Sequence, residues 1–535
     1  MTSSDFASFL EAFLQRAEPL SREVNLAYWT ATVSGREADF DKLAELQVRL
    51  QKLYSDPKDF ERIKTWHLSG SGLPDIDKRQ IDILYHASLR NQISPDLNER
   101  ITKLSTRIEN QFNVYRANVN GKALTSNDIL TILKESNDSV LRKNVWLSGK
   151  KVGNVVHDDL LTLVKLRNEA AEVLGYPNYY SMSLDLNEQN EEEVVGLFDE
   201  LEKLTREPFA EMKATADERM AERYGIATTE IRPWHYEDPF SQEAPRVFDV
   251  DLDRYFKDHN VLDLVTRYFE GIGLEVRDIL ERSDLYEKRG KDQHAFCTDI
   301  DRKGDIRILA NIKNDETWTG TMLHELGHAV HDKYIDSDLP YLVRQEAHIF
   351  TTEAIAMLFG RLSKDPNWIQ EMGGIGDEEK VRISGDLGRN LRHSQLMFAR
   401  WSQVMMHFER ELYTNPEQNL NELWWDLVER FQMITPPEET DRPHWAAKTH
   451  IVTVPVYYHN YLLGEVLASQ IDHFIRKNVL PPGERSSSFA NCVGVGNYLT
   501  EKIFAPGAKL RWDEMITSAT GEPLTPKYFA EQFVH

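Results

Sequence analysis

TMLHELGHAVHDKY, residues 321–334, contains His324, Glu325 and His328 as His-Glu-Leu-Gly-His. Two histidines four apart on a helix stack one turn apart on the same face, so both imidazoles can reach one ion, and zinc suits that spacing best. Glu325 lies about 100° round the helix, beside the metal instead of on it, where it can take a proton from metal-bound water. With 17 histidines in 535 residues, the pattern would arise by accident about 0.05 times per chain. Two surface histidines on an amphipathic helix are the plain alternative, and the surroundings must decide between them.

Upstream, residues 294–301 and 305–312 are short runs rich in β-branched residues, separated by Arg302-Lys303-Gly304. They predict a hairpin directly before the motif helix. It is either a purely structural hairpin or an edge strand that pairs with extended substrate. Downstream, Tyr341-Leu342-Val343 leads into a helix predicted over residues 345–362, which carries Glu353. A catalytic zinc site takes three protein ligands and leaves one position open. A third histidine six residues past His328 is excluded, because Tyr334 stands there. His331, Asp332, Glu346 and His348 compete for the role, the first two placed too close in the same helix. Glu353 sits in Thr-Thr-Glu-Ala-Ile-Ala, where a lone carboxylate is costly without a cation, and is the expected third ligand.

Elsewhere helical periodicity dominates from residue 4 to about 270, as in the stripe Leu43, Leu46, Leu50 and Leu53. Long charged helices are predicted over 81–115 and 191–223, with breaks at 68–75, 150–154 and 226–250. A further helix is expected over 379–413, then LWWDLVERFQ and a break at Pro436-Pro437. Lys448, His450, Tyr457, Tyr458 and Tyr461 then fall within fourteen residues. Aromatic packing accounts for one or two of the tyrosines but not for the Lys and His beside them.

The formal charge is −24, from 87 acids against 63 bases. That balance disfavours nucleic acid and anionic membrane surfaces as partners. Two cysteines, Cys297 and Cys492, cannot supply a disulfide framework. The N-terminal stretch carries Asp5, Glu11 and Arg16 and reads as an amphipathic helix instead of a signal peptide, and no apolar run of spanning length appears. Cytoplasmic residence is the expectation.

Taken together, these motifs resemble the angiotensin-converting-enzyme (peptidyl-dipeptidase A) family of gluzincin peptidases, with the thimet oligopeptidase and oligopeptidase F group as more distant kin. His294-Ala295, Asp299, Gly304-Asp305-Ile306-Arg307-Ile308 and His324-Glu325-Leu326-Gly327-His328 follow in that family's order. Asp338-Leu339-Pro340, the Glu353 segment, Trp424-Trp425, Phe431-Gln432, Pro436-Pro437, Ala447-Lys448-Thr449-His450 and LRNEAAEVLGY (166–176) extend the likeness over roughly residues 160–475.

What the resemblance implies is a mainly α fold, a large helical ellipsoid of two halves around a deep central channel, with a small β-hairpin next to the zinc-site helix. The chain would be a single catalytic domain, with residues 1–115 as a helical lid. His324, His328 and Glu353 would bind one zinc ion, with Glu325 as general base and later acid. His450 and Tyr461 would stabilise the oxyanion, His294 and the backbone of Ala295 would hold the peptide, and Lys448 and Tyr458 would take its C-terminal carboxylate. The implied reaction is release of C-terminal dipeptides from short peptides. An internally cutting oligopeptidase is the same-class alternative, and a non-catalytic peptide-binding homologue the minor one. Whether the chain is a monomer or a homodimer stays open.

The likeness has departures. A register using Tyr457 in place of Tyr458 is open. Val428 and Asn460 replace the chloride-binding arginines of the animal enzymes, which implies little effect of chloride. Met357 stands where an Asp would support a zinc-bound histidine. No residue stands out as the Gln that helps to hold the carboxylate. Residues 232–240, RPWHYEDPF, look more like the oligopeptidase branch.

Overall fold

A computed structural model describes residues 3–69, 72–245, 250–483 and 488–534. The chain divides into two compact units, each built from separated segments. The first comprises Met1–Gln92, Val250–Leu387 and Leu463–Tyr528, and the second Ile93–Asp249, Gly388–Leu462 and Phe529–His535. The architecture is mainly α, as expected. Strands among the described residues form two antiparallel pairs. No described helix is long and apolar enough to cross a membrane.

In the first unit the N-terminal helix Ser3–Ser34 is amphipathic, and its inward stripe of Phe6, Phe9 and Phe13 packs on Trp66, Ile81 and Leu84. The same cluster takes in Tyr341 and Leu342, from the turn that leads to the Glu353 helix. Further along the first helix, Trp29 packs on Ile300 and Leu309 of the predicted hairpin. Each such aromatic contributes about 2–3 kcal/mol by leaving water.

That hairpin forms from Phe296–Asp299 and Ile306–Leu309, with Cys297 opposite Ile308 and Asp299 opposite Ile306. Asp299 closes the turn by accepting from the N–H groups of Asp301 at 3.0 Å and Arg302 at 2.8 Å. The outer edge of Ile306–Leu309 is occupied, since Asp284 N–H donates to Ile308 at 3.0 Å and Ala310 N–H to Asp284 at 2.9 Å. The opposite edge, along Phe296–Asp299, carries no strand among the described residues.

Two expectations are corrected at and beyond the boundary between the units, at Gln92–Ile93. The helix predicted over 81–115 is two helices, Asp75–Leu89 and Pro95–Val114. Pro95 has no N–H to continue a helix from upstream, and Ser94 caps the new one by accepting from Leu97 N–H at 3.2 Å. A second hairpin pairs Ala117–Val119 with Lys122–Leu124, where alternation predicts no strand. Its strands are only three residues long, and its signal is the Asn120-Gly121 turn, with φ of 53° and 82°.

By contrast, the helix Glu191–Tyr224 runs as predicted, capped by Asn190 and ended by Gly225 at φ 64°. Fully buried Arg142 ties the second unit together, donating to the carbonyls of Leu133, Ser136, Trp234 and Tyr236. Four guanidinium N–H bonds to backbone offset the cost of burying the charge.

Candidate active site

The motif helix spans Glu316–Lys333, capped by Asp315, which accepts from Trp318 N–H at 2.7 Å. Helical spacing brings the rings of His324 and His328 to 4.9 Å between centroids. Glu353 comes from the next helix, which runs Ile349–Gly360 and starts four residues later than predicted because His348 caps it. The His348 ring accepts from Phe350 N–H at 3.1 Å, and this competitor lies outside the group of donors that converges with Glu353. His331, another competitor, is buried with its ring 5.1 Å from that of Phe504.

Both histidines present Nε2 to the same Glu353 oxygen at 3.9 Å. One donor atom from each of His324, His328 and Glu353 lies within 4.8 Å of the other two, a group that could hold a metal ion. Distances of about 2 Å from zinc to each donor give separations of this order.

Two glycines make this convergence possible. A β-carbon on Gly327 would stand 2.7 Å from Ala356 Cα, so only glycine lets the two helices approach this closely. Gly464 packs the other side of the Glu353 helix, where a β-carbon would lie 3.2 Å from Glu353 Cβ and 3.2 Å from Met357 Sδ. The support that Met357 cannot give is supplied elsewhere, by Thr352, whose Oγ1 is 2.8 Å from His328 Nδ1. That bond fixes the ring so that Nε2 is free for the ion.

Burial shapes the charges. It lowers His324 to about 4 and His328 well below the usual imidazole range, which favours the neutral form that ligates metal. It raises Glu353 to about 7, and Glu325 to about 8 with a further push from the Glu353 charge. Two neighbouring buried carboxylates of this kind are costly unless a cation stands near them, so the residues fit a divalent metal. Glu325 also accepts from the backbone N–H of Cys297. Glu325 is therefore tied to the Phe296–Asp299 strand.

The second unit holds another polar group. Lys448 Nζ donates to Gln242 Oε1 at 2.9 Å, and Tyr458 OH donates to the same oxygen at 3.2 Å. The ammonium stands 5.0–5.1 Å from the ring centres of Phe240, Trp401 and Tyr458. No carboxylate forms an ion pair with Lys448 among the described residues, and burial lowers it to about 8, opposed by the Asp238 charge. Tyr458, not Tyr457, is thus the tyrosine at Lys448. The His450 ring lies 5.4 Å from that of Tyr458, and its Nδ1 has no partner. Burial first, then the Lys448 charge, brings His450 to about 4, a neutral imidazole. Tyr461 is half-buried, its ring 5.4 Å from that of Tyr458.

Two further predicted residues directly precede the Phe296–Asp299 strand. The His294 side chain is 95% exposed, with Asp292 as its hydrogen-bond partner at 3.2 Å. Ala295 is half-buried, directly before that strand. Three contacts of the candidate residues are not legible in the sequence: those made by Thr352, the Cys297 N–H and Gln242. Thr352 directly precedes Glu353, a position that marks no role by itself. Gln242 lies in a proline-rich break 206 residues from Lys448, and no local pattern joins the two.

The loop between His450 and Tyr458 is clamped from below. Arg167 donates to the carbonyls of Ile451 at 2.9 Å and Val452 at 2.7 Å. Glu409 accepts from Val456 N–H at 2.9 Å. Val456 has φ 53°, an uncommon state for a β-branched residue that the buried carboxylate helps to hold. Asn460 is bonded to Gln189 at 2.8 Å, and Gln189 to His459 at 2.8 Å, in a neutral network.

Two family models and two curated relatives match this chain. The family model described as peptidase family M3 matches residues 132–535, and the one described as angiotensin-converting enzyme matches residues 1–233. Among curated proteins, carboxypeptidase 1 of Bacillus subtilis is 22% identical over 263 residues, covering 44% of this chain and 51% of that protein. The mitochondrial intermediate peptidase of Arabidopsis thaliana is 20% identical over 474 residues, covering 77% of this chain and 64% of that protein. The chain thus spans between half and two thirds of the length of these relatives.

Proposed function

Since the chain belongs to peptidase family M3, a family of zinc-dependent peptidases, we propose that it hydrolyses short peptides with one bound zinc ion and releases C-terminal dipeptides. His324, His328 and Glu353 hold the ion, which supplies positive charge that acidifies water and polarises the scissile carbonyl. Glu325, fixed by the Cys297 N–H, takes the proton of the attacking water and delivers it to the leaving amine. Neutral His450 and Tyr461 donate to the oxyanion that develops at the substrate carbonyl, each worth about 2–4 kcal/mol. His294 and the Ala295 backbone are assigned to the peptide on either side of the cleaved bond.

The observation that carries the dipeptide reading is the Lys448–Gln242–Tyr458 group, an ammonium without an anion among hydroxyl and amide groups. A terminal carboxylate satisfies it. The competing reading is an internally cutting oligopeptidase, favoured by the match to family M3 over the part of the chain that bears the site.

Mass spectrometry of products from matched free and C-terminally amidated peptides decides between them. Dipeptides released from free peptides, with amidated peptides spared, are expected; internal cleavage of both alike would establish the oligopeptidase. Glu325→Gln is expected to keep its zinc and lose about 10²–10⁴-fold in turnover.

A further inference from the structure

Asn25, on the N-terminal helix, donates through Nδ2 to the carbonyls of Asp299 at 3.1 Å and Ile300 at 3.3 Å. All three residues belong to the first unit, and Asp299 ends the hairpin strand that carries Cys297. Register shows which backbone groups of that strand face away from its partner. Ile308 accepts from Asp284 N–H at 3.0 Å and donates to Ser283 Oγ at 2.8 Å, both on the outer side of the hairpin. Backbone groups alternate in direction along an antiparallel pair, so Cys297 and Asp299, opposite Ile308 and Ile306, also face away from the pairing. Along their edge they present, in order, Cys297 N–H, Cys297 C=O, Asp299 N–H and Asp299 C=O. The first donates to Glu325 and the last accepts from Asn25. The middle two, an acceptor and then a donor, have no partner among the described residues.

The Asn25 amide is not needed to dock its helix. Trp29 packs on Ile300 and Leu309, Thr32 C=O accepts from Asp292 N–H at 2.9 Å, and Glu18 pairs with Lys303. Gly35 lies so close to Gly290 that a β-carbon on it would stand 1.9 Å from the Gly290 oxygen. Anchors therefore stand on both sides of Asn25. What its amide alone does is take the carbonyl at which a further backbone partner would bond.

We propose that Asn25 is a specificity-determining residue, which fixes how far a peptide substrate pairs with this strand. The proposal rests on the peptidase reading above. An extended peptide beside the strand bonds to Cys297 C=O and Asp299 N–H. The next acceptor in the row is closed by Asn25, so peptide residues beyond that point gain no bond from the strand. Were the Asp299 carbonyl released, a peptide N–H reaching it would add one net hydrogen bond, which tightens longer peptides about 2–10-fold.

Kinetics of the full-length, zinc-loaded protein on free alanine peptides, from tetraalanine to octaalanine, test this. Mass spectrometry locates the cut bond, so the length of peptide on each side of it is known. In the parent, KM is expected to stop falling once one side of the peptide reaches past Asp299. In Asn25→Ala it should fall about 2–10-fold further for those longer peptides alone, with kcat and the KM of the shortest peptides unchanged. Asn25→Leu keeps a side chain of similar size over the carbonyl without donating to it, and should follow the parent at every length. A bond that merely holds the helix predicts instead that the two variants behave alike. Equal effects of the two substitutions, an Asn25→Ala effect of the same size at every length, or no effect at any length overturns the assignment. A parent that cleaves none of these peptides overturns the peptidase reading itself, and this assignment with it.

Discussion

Gly327 lies so close to Ala356 that a β-carbon on it would stand 2.7 Å from the Ala356 Cα. The obstacle is backbone, which cannot turn aside as a side chain can. Gly327→Ala is expected to push the Glu353 helix away from the two histidines. Overpacking of this kind costs about 1–3 kcal/mol. Calorimetry should show a lower melting temperature, and metal analysis after dialysis a lower zinc content.

Thr352 fixes the His328 ring through a 2.8 Å contact with Nδ1. Thr352→Val keeps the shape and removes the bond. Zinc affinity, measured by competition with a chelator, should fall about 10–100-fold while far-ultraviolet dichroism is unchanged.

Lys448, lowered to about 8 by burial, is charged below that pH and neutral above it. Under the carboxylate-binding role, KM for free peptides should stay flat to about pH 8 and then rise about tenfold per unit. Amidated peptides, if cleaved at all, should not show this rise. Lys448→Met should remove it by raising KM at every pH.

Glu409 offers a stability test. Burial raises its carboxyl to about 7, against the attraction of Arg167. The native state therefore holds the proton more tightly than the unfolded chain, whose carboxyl titrates near 4.5. Stability contributed by the protonated form is complete below about 4.5 and is lost as pH rises through 7, by at most about 3 kcal/mol. Glu409→Gln can still accept from Val456 N–H. It should flatten the fall in melting temperature between pH 5 and 8, less whatever attraction to Arg167 is lost.

The cluster of His324, His328 and Glu353 was legible in the sequence because its spacing is local. Two histidines four apart on a helix are near each other in any fold that keeps the helix, and Glu353 stood out as a carboxylate among small apolar residues. The hairpin before them was equally plain, from β-branched runs around a glycine turn. The helix break at Ser94-Pro95 was written there as well, but charge periodicity on both sides masked it. Gln242 was out of reach for a different reason. Its contact with Lys448 is made by the tertiary fold across 206 residues, and a glutamine in an irregular segment carries no periodic signal. Thr352 shows the same limit at short range, since sequence places it beside Glu353 and not against His328.

The segmentation of the first unit sets an order on synthesis. His324, His328 and Glu353 belong to its middle segment, but Gly464, which packs on Glu353, belongs to the last. Glu353 leaves the ribosome about 110 residues ahead of Gly464, some 5–20 seconds at ordinary elongation rates. For that interval the nascent chain carries His324, His328 and Glu353 without the wall that packs on the third. Under the zinc reading, a firm grip on metal would be set late in translation, by a glycine outside the donor group.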